Sequence, residues 1–172
     1  MPFFKQDTRY SCGPTALEMM MAYFKVRLGE EKLGRRLKVT KRYGTRNGKL
    51  IDAARKAGFY VYVNDEATIE EVRFFLRQRL PVLVNFLEPY NNEGHFTVIT
   101  GLEEEQIIMN DPWNGKGFKM KIRDFVRRWE SEDRRHKKWM MVIAKDDFRL
   151  GREFGPIRRT KARINQQTET EN

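Results

Sequence analysis

The stretch "PVLVNFLEPYNNEGHFTVITGLEEEQIIMN" (residues 81–110) decides the fold class. Three segments rich in β-branched and aromatic residues, PVLVNFL, HFTVITGL and EQIIMN, follow one another here. A Pro, Asn and Gly-bearing stretch separates the first two, and a run of acids the next two. Segments of this length and composition suit a pleated surface, and the punctuation between them suits turns, so they read as successive strands. Two further strands are expected downstream in GFKMKI and KWMMVIA, with a short amphipathic helix at Arg123 to Trp129 between them.

Upstream of Pro81 the periodicity changes to that of helices. Pro14 stands where a helix tolerates a missing N–H, and Ala16, Leu17, Met20, Met21 and Phe24 recur at helical spacing, which predicts a buried first helix from Gly13. Its methionines suit irregular core packing. A second helix is expected over Glu30 to Lys38 and a third over Leu50 to Lys56, closed by Gly58, with the polar loop KRYGTRNGK between them. FYVYV reads as a strand. Thr68 and Glu71 form a capping-box pattern ahead of a helix carrying Val72, Phe75 and Leu76, which ends before Pro81. Helices first and strands afterwards imply an α+β domain, its helices packed on one side of a mostly antiparallel, twisted sheet, not an alternating doubly wound fold.

Bulk properties agree with one domain over residues 1–148. The chain has 172 residues, 40% of them hydrophobic, enough to enclose a core without disulfides or metal clips. After Phe148 apolar periodicity stops, and residues 149–172 are expected to be a basic, flexible tail. The start MPFFKQD lacks a charged-then-apolar leader, and the most apolar runs are too short or interrupted to cross a bilayer, so no membrane insertion is expected. A lone Cys12 closes no intramolecular disulfide, which makes a cytoplasmic location the expectation. The excess of 34 Lys and Arg over 24 Asp and Glu favours acidic partners. Much of it lies in KGFKMKIRDFVRRWESEDRRHKKW and RRTKARINQQ. No zinc finger or paired-aromatic signature accompanies it, so a solvated basic face is preferred to a nucleic-acid partner.

Chemistry enters at "KQDTRYSCGPTALEMMMAYF", residues 5–24. Cys12 falls at the mouth of the first helix, where the positive end of the helix and its free N–H groups stabilise a thiolate. An isolated cysteine can equally be an inert core residue. A thiol nucleophile needs an imidazole partner, and the chain has two histidines. His136 stands among cations in DRRHKKW, which disfavours a further positive charge. His95 opens the strand HFTVITG beside Gly94, where its ring can project at the sheet's rim while Phe96, Val98 and Thr100 point to the opposite face. A structural, hydrogen-bonded histidine fits there too. Asp111 ends the next strand, and a hairpin would bring it beside His95 to orient the ring. Asp111-Pro112 with Asn114-Gly115 is turn chemistry as well, and both roles can hold. Gln6, six positions ahead of the cysteine, offers a side-chain amide that can share an oxyanion with the Cys12 N–H. Trp113 and Tyr90 flank the His95 and Asp111 loops as wall candidates.

Taken in order, QDTRYSCGP (Gln6 to Pro14), GHFTV (Gly94 to Val98) and NDP (Asn110 to Pro112) resemble the signature blocks of the bacteriocin-processing, double-glycine-leader cysteine peptidases and their free-standing relatives. The resemblance spans roughly residues 1–145 and implies a papain-like cysteine peptidase fold. It also implies roles: Gln6 in the oxyanion hole, Cys12 as nucleophile, His95 as general base and acid, Asp111 as the ring's orienter. The expected activity is hydrolysis of a peptide or amide bond through an acyl-enzyme, on a peptide or protein substrate, without cofactor or metal. Because the chain carries neither spanning helices nor a Walker motif, a free-standing relative is expected. A non-catalytic peptide-binding module and an acyltransferase are the alternatives. A zinc site from Cys12, His95 and Asp111 has suitable ligand types but no spaced ligand pair.

Overall fold

Apolar side chains alternate along the central strands in a way that demands cover on both faces. In the computed structural model, which describes residues 1–157, Leu83, Phe96, Val98, Met141 and Ile143 belong to one core. Val82, Val84, Phe86, Ile99, Met140 and Val142, their neighbours along the same strands, belong to a second. Strands buried on both faces carry near-continuous apolar runs, which is why PVLVNFL and KWMMVIA show no polar alternation.

Seven strands form one sheet in the order β5-β4-β3-β2-β6-β1-β7: β1 Tyr60–Asn64, β2 Val82–Leu87, β3 Gly94–Leu102, β4 Gln106–Asp111, β5 Gly115–Lys121, β6 Met140–Ala144 and β7 Glu153–Phe154. Every pairing is antiparallel. Helices α1 Cys12–Tyr23, α2 Glu30–Leu37 and α3 Asn47–Lys56 supply the first core. Nearly all of α1 is enclosed, Met19, Met20 and Met21 completely, so it is a central helix and not a surface one. Helices α4 Ile69–Arg77 and α5 Ile122–Arg128 lie on the opposite face, where Val72, Phe75 and Phe125 join the second core. The N-terminal helices thus pack on a twisted antiparallel sheet as expected, and the two later helices cover the other side.

Local chemistry accounts for most boundaries. Thr68 Oγ1 accepts the Glu71 N–H at 3.1 Å and caps α4. Lys38 turns left-handed at φ 52° and ends α2, and Gly58, at φ 89°, follows α3. Helix α3 begins ahead of the expected Leu50, carrying Gly48 in its first turn. Register shifts between Ile99 and Gly101, so Thr100 is the extra residue of a bulge and does not share the face of Phe96 and Val98. Edge strand β5 carries exposed Lys116, Lys119 and Lys121, with Gly117 at φ 70°. At the other edge, β7 pairs with Val61 and Tyr62 of β1. The Ile157 N–H then reaches the Arg55 carbonyl at 3.0 Å, while Arg55 Nε donates to the Gly155 carbonyl at 2.8 Å. Residues 149–157 of the segment expected as a tail therefore include a strand; its remainder, 158–172, lies outside the described residues. No described helix is long and apolar enough to cross a membrane.

Candidate active site

Cys12 is the first residue of α1 and is buried. The first intrahelical bond runs from the Thr15 N–H to the Ser11 carbonyl at 3.1 Å, so the N–H groups of Cys12 and Gly13 stand at the helix mouth without an intrahelical acceptor. A Cβ on Gly13 would sit 2.4 Å from Thr45 Oγ1; only glycine lets this turn press against the loop before α3. Ser11 Oγ accepts the Thr8 N–H and donates to the Thr8 carbonyl, both at 3.0 Å, folding the approach to Cys12 into a tight turn.

Gln6 enters the site from this approach. Its N–H donates to the Pro112 carbonyl at 3.0 Å, which ties the segment before Cys12 to the segment after Asp111. Gln6 Nε2 donates to the Thr8 carbonyl at 2.7 Å, using one of its two amide hydrogens. The second remains for a ligand. Turning the amide over would set Oε1 against the Thr8 carbonyl, so this bond dictates the orientation.

His95 is the second residue of β3 and only 6% exposed. It pairs across the ladder with Phe86, whose ring meets the imidazole edge-on at 6.0 Å. Its Nε2 lies 2.9 Å from Oδ1 of Asp111, the fully buried last residue of β4. That leaves Nδ1 free of Asp111, and Cys12 is close enough to the ring to raise its pKa. The same Asp111 oxygen accepts the N–H groups of Trp113 at 2.9 Å and Asn114 at 2.7 Å, so turn and ring share one acceptor. Burial, the largest single influence, opposes charge on His95. The hydrogen bond to Asp111 and the influence of the neighbouring Cys12, with the charges of both, outweigh it and raise the imidazole pKa from 6.5 to about 10. On Asp111 burial pushes upward, but the His95 bond and charge and the two N–H donors win, and its pKa is lowered.

All four expected site residues, Gln6, Cys12, His95 and Asp111, are therefore buried at one end of the sheet. Gln6, His95 and Trp113 line a cleft there, together with Arg9 and Glu93, which pair at 3.8 Å. Tyr90, exposed on the β2–β3 turn, does not line it. His136 is half-buried in the loop before β6, its Nδ1 2.9 Å from Asp65. Sequence reasoning missed Glu30. Its carboxylate accepts the Asp7 N–H at 3.2 and 3.3 Å, and one of its oxygens is 2.8 Å from the Thr15 hydroxyl. In the sequence Glu30 is only an acid in the first turn of α2, and nothing local marks its reach back to Asp7.

An enclosed N-terminal helix laid on an antiparallel sheet, with a thiol at the helix mouth and a His–Asp pair at the strand ends, defines the papain-like class of architecture. The family model described as Peptidase C39 family matches residues 1–132, and the chain belongs to that family of cysteine peptidases. No curated protein is similar enough in sequence to match. Among solved structures, the peptidase domain of Streptococcus ComA, a bi-functional ABC transporter involved in a quorum-sensing pathway, is similar with TM-score 0.67 and 21% identity. That match covers 84% of this chain and 98% of the other. A putative C39-like peptidase from Bacillus anthracis matches with TM-score 0.70 and 17% identity over 85% and 95% of the two chains. A double glycine motif protease from the AMS/PCAT transporter, solved in complex with its leader peptide, matches with TM-score 0.62 and 22% identity over 83% and 89%. These likenesses establish the shared fold.

Proposed function

We propose that this chain hydrolyses a peptide bond through an acyl-enzyme on Cys12. The observation that carries the reading is the buried His95, whose Nε2 lies 2.9 Å from Asp111 and whose neighbours include Cys12. A ring that holds its proton across the neutral range gives the sulfur a cationic neighbour, which favours the thiolate as nucleophile.

The sulfur attacks the carbonyl carbon, and the displaced π electrons collect on oxygen. Gln6 Nε2 and the Cys12 N–H donate to that oxyanion. The His95 imidazolium passes its proton to the leaving amine as the C–N bond breaks, which leaves a thioester and a neutral ring. The ring then takes a proton from water, and hydroxide displaces the thiolate, releasing the acid. Asp111 keeps the ring oriented and stabilises its charge throughout. The relative solved with a leader peptide supports a peptide substrate, laid along the cleft beside Trp113. A lone thiol fits a reducing, cytoplasmic setting.

The test pairs two measurements. At pH 6 iodoacetamide should modify the wild type faster than a free thiol, and because the chain holds one cysteine the label reports Cys12 alone. Cleavage of an extended-peptide library should vanish in Cys12→Ala while its circular dichroism is unchanged. Equal cleavage by both proteins would refute the reading; labelling without cleavage of any peptide would favour a peptide-binding module.

A further inference from the structure

Lys49, Asp52, Ala53 and Lys56 follow one another along α3 at steps of three, one and three residues, which places them on a single helical face. With Arg35 and Arg36 of the last turn of α2, and Lys38 just beyond it, they line an open cavity of about 640 Å³ that Ile157 borders. Among the described residues it shares none of its lining with the cleft at His95. Its walls, among the described residues, hold five cationic side chains and one carboxylate.

Helix stability explains part of this set: Lys56 stands in the last turn of α3 and Lys38 at the C-cap of α2, both at negative helix ends. Arg35 and Arg36 suit the negative end of α2, and Arg35 also pairs with Glu31. Lys49, by contrast, stands in the first turn of α3, at the positive end of a helix with no acid in that turn. Among the described residues Arg36, Lys38, Lys49 and Lys56 form no ion pair. Like charges gathered around a concave wall repel one another and focus a positive potential into the space between them. The third wall is fixed: the Ile157 N–H to Arg55 carbonyl bond at 3.0 Å and the Arg55 to Gly155 bond at 2.8 Å pin the arm after β7 against α3.

We propose that this cavity binds a compact polyphosphate-bearing molecule. Lys49, Lys56, Lys38 and the two arginines grip the phosphoryl oxygens, and Asp52 accepts from a hydroxyl or amino group on the rest of the ligand. A volume of about 640 Å³ has room for a small polyanion. A concave, walled space fits such a ligand better than a flat bilayer or a long polymer track.

The test is calorimetric titration of the full chain with inorganic tripolyphosphate and, separately, with ATP, at low and at physiological salt. One-to-one binding of both is expected, weakening steeply with salt. Lys49→Glu/Lys56→Glu should weaken both by at least about tenfold. Lys116→Glu/Lys121→Glu, on the opposite sheet edge and with the same change in net charge, should leave them within about twofold. Lys49→Gln/Lys56→Gln gives the same reading should the charge reversal not fold. Asp52→Ala should weaken ATP relative to tripolyphosphate, since it removes the acceptor that only ATP uses while relieving charge repulsion for both. Failure of tripolyphosphate to bind would overturn the proposal, as would equal losses in both charge-reversed proteins. So would binding confined to an oligonucleotide with several chains per strand.

Discussion

At the scale of residues, one oxygen of Asp111 serves His95, Trp113 and Asn114 together, so loosening the ring also loosens the turn that closes the cleft. The sign of the pH effect follows from His95. Its folded pKa, about 10, exceeds the ordinary 6.5, so the stabilisation it brings is complete below about pH 6.5 and is lost as pH rises towards 10. Asp111 works at the other end: its contribution is present above its ordinary 3.8 and disappears as pH falls through the lowered folded value. Thermal melts of wild type and Asp111→Asn should therefore differ most between about pH 4 and 6.5, with the gap closing as pH rises from 6.5 to 10; a constant gap would mean an uncharged ring. In the sequence these residues stood out because candidates were few, one cysteine and two histidines. Thr45 could not be read that way, because its importance is purely steric and depends on its packing against Gly13. Gly13→Ala should cost on the order of 1–3 kcal/mol in urea titrations at unchanged m value. Adding Thr45→Gly should recover part of it.

Elements show the same division between local and distant causes. Strands with strong β composition and the capped helix α4 were legible because Thr68, the Gly punctuation and the apolar period all act within a few residues. Two-residue β7 was not, since its place is set by the free edge of β1 and not by any pattern in the Gly and Arg-rich sequence around it. The bulge at Thr100 is likewise a matter of how two strands meet. Glu30 belongs here as a positioning residue: from the start of α2 it holds Asp7, the neighbour of Gln6, and the first turn of α1 through Thr15. Glu30→Gln should lower kcat on the order of tenfold with little change in KM, because the proposed oxyanion donor, Gln6, shifts while the cleft stays open. Glu30→Asp, which keeps the charge, should restore part of the rate, and Cys12 labelling should continue in both.

For the whole molecule, the two cores share one sheet, and the adjacent Leu83 and Val84 each face a different one. Leu83→Ala and Phe86→Ala, one on each side, should each cost about 3 kcal/mol. Near- and far-ultraviolet circular dichroism should still fall together in a single transition, as for one cooperative unit. Helix-then-strand order was enough to read the α+β class. It did not reveal that α4 and α5 turn to the other face, because a short connection permits either side and only the apolar demand of β2 and β6 decides. The sheet's outer margin carries a last implication. A foreign strand adding to β5 would have to lie along Lys116, Lys119 and Lys121 and follow the chain through the positive φ of Gly117. Ammonium groups and a kinked template both resist that addition, so crowded copies of this molecule are discouraged from zipping side by side into fibrils.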